Sequence, residues 1–191
     1  MRVIGGTVGG RKLRTPRGAA IRPTADRVKE ALFNILSGIM GRLDGCSVLD
    51  IFAGTGNLGI EALSRGAERA VFIDSSRDAS GLIGRNLEIT GLTDRGTVIT
   101  RNFTAAISAL ESSGNCFQLI FLDPPYGREL LENALERLGS SRLLGRDAIV
   151  VAESSSREST GERYGRLILR DRRVYGDTAL AFYITPEKGM P

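Results

Sequence analysis

Asp50-Ile51-Phe52-Ala53-Gly54-Thr55-Gly56-Asn57-Leu58-Gly59 decides the fold. It continues an apolar run that begins at Val48, passes through two closely spaced glycines and enters a helical pattern. A buried strand, a Gly-x-Gly-x-x-Gly turn and a helix together open a parallel α/β sheet, which binds its ligand at the carboxyl ends of the strands. Working outward, the same alternation repeats. Strands are expected at 48–52, 70–74, 97–100, 117–122 and 148–152, and helices at 58–65, 77–90, 104–110 and 129–138. Segments 166–170 and 179–184, with a turn near Gly176-Asp177, predict an antiparallel hairpin on the sheet edge. Before the first strand, Thr24 is placed to cap a helix whose apolar face is Val28, Ala31, Leu32, Ile35 and Leu36. The expected domain runs over 24–187, preceded by a basic arm or hairpin at 1–23. The polar stretch 154–161 reads as a loop.

The glycine loop alone fits a nicotinamide dinucleotide as well as an adenosyl cofactor. Asp50 separates the two. A carboxylate just before the loop repels a pyrophosphate but suits the ammonium group of S-adenosylmethionine. Asp74 ends the second strand, where an acid can hold both ribose hydroxyls. Phe52, Ala53, Gly54 and Gly56 line the expected cofactor site with these two acids. Asn102 and Phe103, after the third strand, are candidates for the adenine; an ordinary helix cap explains Asn102 nearly as well.

Asp123-Pro124-Pro125-Tyr126 follows the fourth strand directly. Two prolines lock the backbone and remove two N–H groups, so carbonyls dominate the turn. Asp123 and the Pro124 carbonyl can each accept one N–H of a planar amine, and Tyr126 can stack on its ring. A nucleobase that has left its stack suits such a pocket.

Composition narrows the chemistry. The 191 residues suit one domain. There is no histidine, and Cys46 and Cys116 lie too far apart in the chain for a metal motif, so a metal-free mechanism is expected. Both thiols are expected to be buried and reduced, as in a cytoplasmic protein. No apolar run is long enough to span a membrane, and 1–10 shows no apolar leader segment. A cysteine-dependent attack on a pyrimidine carbon is disfavoured, because neither thiol falls in the Pro-Pro turn. Lysine occurs only at 12, 29 and 188, which disfavours a lysine-assisted ribose methylation. The net charge is +4, yet the first thirty residues alone carry eight basic side chains against Asp26 and Glu30. The body is therefore slightly acidic and the arm strongly basic. Arg2, Arg11, Lys12, Arg14, Arg22 and Arg27 are candidate contacts to a polyanion, most simply RNA or DNA.

With these residues assembled, the chain resembles the RsmD family of bacterial 16S ribosomal RNA guanine-N2 methyltransferases. The resemblance rests on Arg2-Val3-Ile4-Gly5-Gly6, Gly10-Arg11-Lys12-Leu13, the segment from Arg22-Pro23-Thr24 to Phe33-Asn34, the loop at 49–56 and Asp123-Pro124-Pro125-Tyr126. It implies a Rossmann-like class I fold with a seven-stranded, mostly parallel sheet, S-adenosylmethionine as donor, and one guanine of 16S rRNA in the small ribosomal subunit or its assembly intermediate as acceptor. A monomer is expected. Two departures stand out: Ser75-Ser76 replaces a more charged pair, and Asn57 stands where a small residue is usual. The Pro-Pro turn also serves adenine-N6 and protein-glutamine methyltransferases. A non-catalytic RNA-binding assembly factor is the alternative of a different class.

Overall fold

A computed structural model describes residues 1–16, 23–125 and 128–186, with side chains for all of these except 23–25 and 128. Tyr126, Arg22 and the Thr24 side chain lie outside the described residues. Eight strands form one sheet in the order β3-β2-β1-β4-β5-β8-β7-β6. β1 (Ser47–Ile51), β2 (Arg69–Asp74), β3 (Gly96–Thr100), β4 (Phe117–Leu122) and β5 (Leu144–Ser155) are parallel. β8 (Thr178–Ile184) runs antiparallel between β5 and β7 (Leu167–Tyr175). The seven expected strands are present. β6 (Arg163–Tyr164) is a two-residue addition that folds back on β7.

The central strands β1, β2, β4, β5 and β8 bury both faces over most of their length, and alternation sorts their side chains into two cores. Val48, Leu119, Phe121, Ile149, Val151 and Leu180 face α1 (Pro23–Met40), α2 (Asn57–Ser64) and α3 (Arg77–Thr90). Leu49, Ile51, Ile120, Leu122, Val150 and Ala152 face α4 (Phe103–Ser112) and α5 (Arg128–Gly139).

Three boundaries differ from expectation. α1 begins at Pro23, so Thr24 lies inside its first turn and is not its cap; proline is well suited to that turn because its missing N–H would have no helical partner there. β5 starts four residues early. Polar Gly145-Arg146-Asp147 reads as a turn in sequence, but it is a bulge in which the register shifts and Asp147 takes φ 51°. Ser154 and Ser155 belong to β5, and the loop after them is tied down: Arg172 donates to the carbonyls of Ser156 and Glu158, and the Tyr183 hydroxyl to that of Gly161. The cysteines also depart from expectation. Cys46 is half-buried and Cys116 is exposed in the connection before β4. Among the described residues, no helix is long and apolar enough to cross a membrane.

Residues 1–13 form a short hairpin, bridged at Arg2 and Lys12, whose Val3 and Leu13 enter the core under α1. A buried ionic network pins it. Glu61 of α2 is fully buried and accepts from the backbone N–H of Ile4 (2.7 Å) and Gly5 (2.8 Å) and from Arg65 Nε (2.8 Å). Lys29 Nζ lies 3.1 Å from Glu61 Oε2 and donates to the Arg2 carbonyl and to Asn57 Oδ1, both at 2.6 Å. All three ammonium protons thus have acceptors. Asn57, the departure noted in the glycine loop, completes this network.

Candidate active site

The carboxyl ends of β1, β2, β4 and β5 meet at one cleft, which holds two adjoining cavities of about 670 and 570 Å³. Both fall in the range of small-molecule sites. Phe52, Gly54, Asp123, Glu153, Asp177 and Thr178 border both cavities. The first extends to Asp50 and α1, the second to Asp74, Ser75, Pro124 and Pro125.

The loop between β1 and α2 is held by the two acids that the sequence singles out. Asp50 Oδ2 accepts the N–H of Gly59 at 2.9 Å, and Asp74 Oδ2 accepts that of Gly54 at the same distance. The second oxygen of Asp74 accepts from Ser76 N. Gly56 caps α2 at φ 75°, a left-handed conformation that glycine adopts without penalty. Gly59 packs so tightly on Phe72 that an added Cβ would stand 2.3 Å from the ring. Phe52 is the unusual residue: φ 63° in a bulky side chain is strained. Its ring packs at 5.5 Å on Phe103. Backbone strain of this kind clusters at ligand-binding loops, and Phe52 borders both cavities.

Electrostatics set the cleft apart. Among the described residues no cation pairs with the buried Asp50, and desolvation raises its pKa to about 8 against the pull of the Gly59 N–H, with Asp123 and Asp74 adding to the rise. Water reaches Asp123 from the cleft, but protein mass on its other sides removes enough solvation to raise its pKa too. Glu153 is raised by burial and then by the charge on Asp123. The cleft is thus short of positive charge. The ammonium and sulfonium groups of an adenosyl donor are what it lacks, so the residues present fit that group.

The other candidates fall as follows. Ala53 borders the first cavity, whereas Gly56 acts through the loop's shape. Asn102 spends Oδ1 capping α4 on the N–H of Ala105 (2.9 Å), and neither it nor Phe103 borders the two cavities; Phe103 reaches the site through Phe52. Arg2, Arg11, Lys12, Arg14 and Arg27 are exposed. Arg2 pairs with Asp26 (3.4 Å), and Arg11 donates to the Ile89 carbonyl. Glu153, Asp177 and Thr178 are missed by the sequence reading. Glu153 has a usable signal, being the first polar residue after the apolar run at 148–152; Asp177 lies in the β7–β8 turn and Thr178 opens β8, and the reach of that turn over the cleft is a tertiary fact.

The family model described as "Conserved hypothetical protein 95" matches residues 1–184. The ribosomal RNA small subunit methyltransferase D of Escherichia coli K12 is 35% identical over 99% of this chain and 92% of its own length. The chain belongs to the RsmD family. A Bacillus subtilis relative named "Putative rRNA methyltransferase YlbH" is 38% identical over 96% of this chain and 98% of its own. Among solved structures, the E. coli protein named "Putative methyltransferase yhhF" superposes with a TM-score of 0.80 at 32% identity, covering 97% of each chain. The RsmD-family architecture seen here is the class I methyltransferase fold, a mostly parallel sheet ending in antiparallel strands.

Proposed function

We propose that this protein transfers a methyl group from S-adenosylmethionine to the exocyclic N2 amine of one guanine of 16S rRNA, within the small ribosomal subunit or its assembly intermediate. Family membership supports the coarser half of this reading, a donor-dependent methyltransferase of ribosomal RNA. One observation supports an amine as acceptor: Asp123 and its Pro-Pro turn open onto the same cleft as the Asp50–Gly59 loop; the choice of a 16S guanine follows the family resemblance. We place the protein in the cytoplasm, acting as a monomer and without a metal.

When bound, the donor supplies an electrophilic methyl group whose S–C bond breaks with its electron pair passing to sulfur. The chain does the positioning. Asp50 would hold the donor's ammonium group and Asp74 its ribose, with Phe52 lining the cleft between them. Asp123 and the Pro124 carbonyl each accept one N–H of the acceptor amine, which turns the nitrogen lone pair toward the methyl group. As the N–C bond forms, positive charge develops on nitrogen and Asp123 stabilises it. The nitrogen then loses a proton, for which Asp123, with its raised pKa, is a competent acceptor. Tyr126 stacks on the base, and the basic arm holds the surrounding RNA.

The test is incubation with labelled donor and small-subunit particles from a strain lacking this gene, followed by digestion of the RNA to nucleosides. Label in N2-methylguanosine is expected. Label in N6-methyladenosine or in protein would overturn the reading, and donor binding without turnover would favour an assembly factor.

A further inference from the structure

A second carboxylate stands beside the Pro-Pro turn. The last paired rungs of β4 and β5 are Phe121 with Val151 and Leu122 with Ala152, and the two chains continue into Asp123 and Glu153. Alternation returns Glu153 to the side of Val151, and its β8 partner Leu180 lies in that same core. Glu153 and Asp123 are therefore neighbours that border both cavities. Among the described residues no cation pairs with either one. Lys29 borders the first cavity, but its three protons are taken by Glu61, Asn57 and the Arg2 carbonyl. Nor does any group of three or more potential metal ligands occur among the described residues.

Two adjacent acids in a cleft call for a ligand that offers a donor to each. Asp123 is already matched to an exocyclic amine. What lies beside that amine separates the possible substrates. In adenine and cytosine the neighbouring ring nitrogen is a bare acceptor, and in a glutamine side chain the neighbour is a carbonyl oxygen; each would meet the carboxylate form of Glu153, which a donating ligand favours against the rise caused by burial, lone pair to lone pair. In guanine one of the two ring neighbours of the amine is N1–H, a donor. We infer that Glu153 is the specificity-determining residue of this site, accepting the N1–H of guanine while Asp123 accepts from its N2 amine. The inference rests on the guanine reading above and adds the physical basis of the choice. Unpaired polar groups in a desolvated site reject a mismatched base more strongly than a lost contact alone would.

The test replaces the target guanine with 2-aminopurine, which keeps the exocyclic amine but has no N1–H, in ligated rRNA assembled into particles. Product nucleosides from the unsubstituted particle are identified first; any product other than N2-methylguanosine sinks the guanine reading itself. Given N2-methylguanosine, wild-type protein should lose about 10²-fold in kcat/KM on passing from guanine to 2-aminopurine. Glu153→Ala should lose roughly 10- to 100-fold on guanine and little on 2-aminopurine. Glu153→Gln, whose amide can donate to the bare N1, should narrow the preference between the two bases. Donor affinity and thermal midpoint are measured alongside, to confirm that the variants fold. Equal losses on both bases would assign Glu153 a structural role, and an unchanged rate on guanine would remove it from recognition; either overturns the inference while leaving the guanine reading intact.

Discussion

Two groups of acids lie on the same side of the sheet, and they are treated in opposite ways. Glu61 is fully buried and saturated: two backbone N–H groups, Arg65 and Lys29 converge on it. Asp50, Asp123 and Glu153 stand at the strand ends with hardly any compensation; Asp50 accepts one N–H, and the other two meet no cation among the described residues. The first arrangement locks a hairpin onto the body. The second keeps an electrostatic deficit that a cationic donor and an N–H-rich acceptor can fill. A buried charge is structural where its partners belong to the protein, and functional where they must arrive from outside.

The contrast is broken most forcefully at Glu61. Glu61→Gln leaves Lys29 buried without a counter-charge, and breaking such a pair costs about 3–5 kcal/mol. For a chain of this size that lowers the thermal midpoint by on the order of 10 °C. Calorimetry checks it, and limited proteolysis should cut the released hairpin first. A shift of only a degree or two would mean that the network is dispensable. Asp123→Ala should do the reverse: methyl transfer falls about 10²- to 10³-fold, as when an oriented charge-stabilising group is lost, while thermal stability holds or rises. Single-turnover kinetics beside a melting curve separates the two kinds of acid.

The two regions were not equally legible in the sequence. The cleft's main elements were, because strand, glycine turn and terminal acid are contiguous: Asp50, Gly54, Asp74 and Asp123 each sit in a local pattern that states its own geometry. The Glu61 network was not, since it joins Ile4, Lys29 and Glu61 from three separate segments and neither Lys29 nor Glu61 is unusual where it stands. Glu153 falls between these cases. It follows an apolar run as Asp123 does, but without prolines to mark the turn, and only the β4–β5 register shows that the two acids are neighbours. The bulge at Asp147 was hidden for a related reason, as polar residues inside a long strand imitate its end.

Asp50 sharpens the comparison through pH. Its pKa of about 8 in the fold lies above the ordinary value of 3.8, so the ligand-free fold binds this proton more tightly than the unfolded chain does. The stability that proton confers is complete below about pH 4 and declines as pH rises toward 8. Asp50→Asn should therefore flatten the fall in stability over that window while weakening donor binding about tenfold, the loss of one charge-assisted contact. Donor binding at pH 7 should release close to one proton from the wild-type site and none from position 50 in the variant. Titration calorimetry in buffers of different ionisation enthalpy reads this directly. Equal proton release from both proteins would show that Asp50 does not face the ammonium group.

The smallest effect concerns the arm, where the distinction between filled and unfilled partners applies to cations. Arg2 is paired with Asp26, Lys29 with Glu61, and Arg11 donates to the carbonyl of Ile89 at the end of α3. Lys12 and Arg14 are exposed, and neither side chain has an acidic partner among the described residues. If unpaired groups are those left for ligands, these two should carry more of the phosphate contact than their paired neighbours. Each phosphate contact removed lowers the slope of log affinity against log salt by about one. Lys12→Ala with Arg14→Ala should therefore reduce that slope by about two, with little change in melting temperature. Arg11→Ala should shift the slope less and stability more, because its guanidinium also fastens the hairpin to α3. Filter binding across a salt series, run beside thermal melts, distinguishes them. A slope insensitive to Lys12 and Arg14 would place the RNA elsewhere on the surface and confine the arm to its structural role.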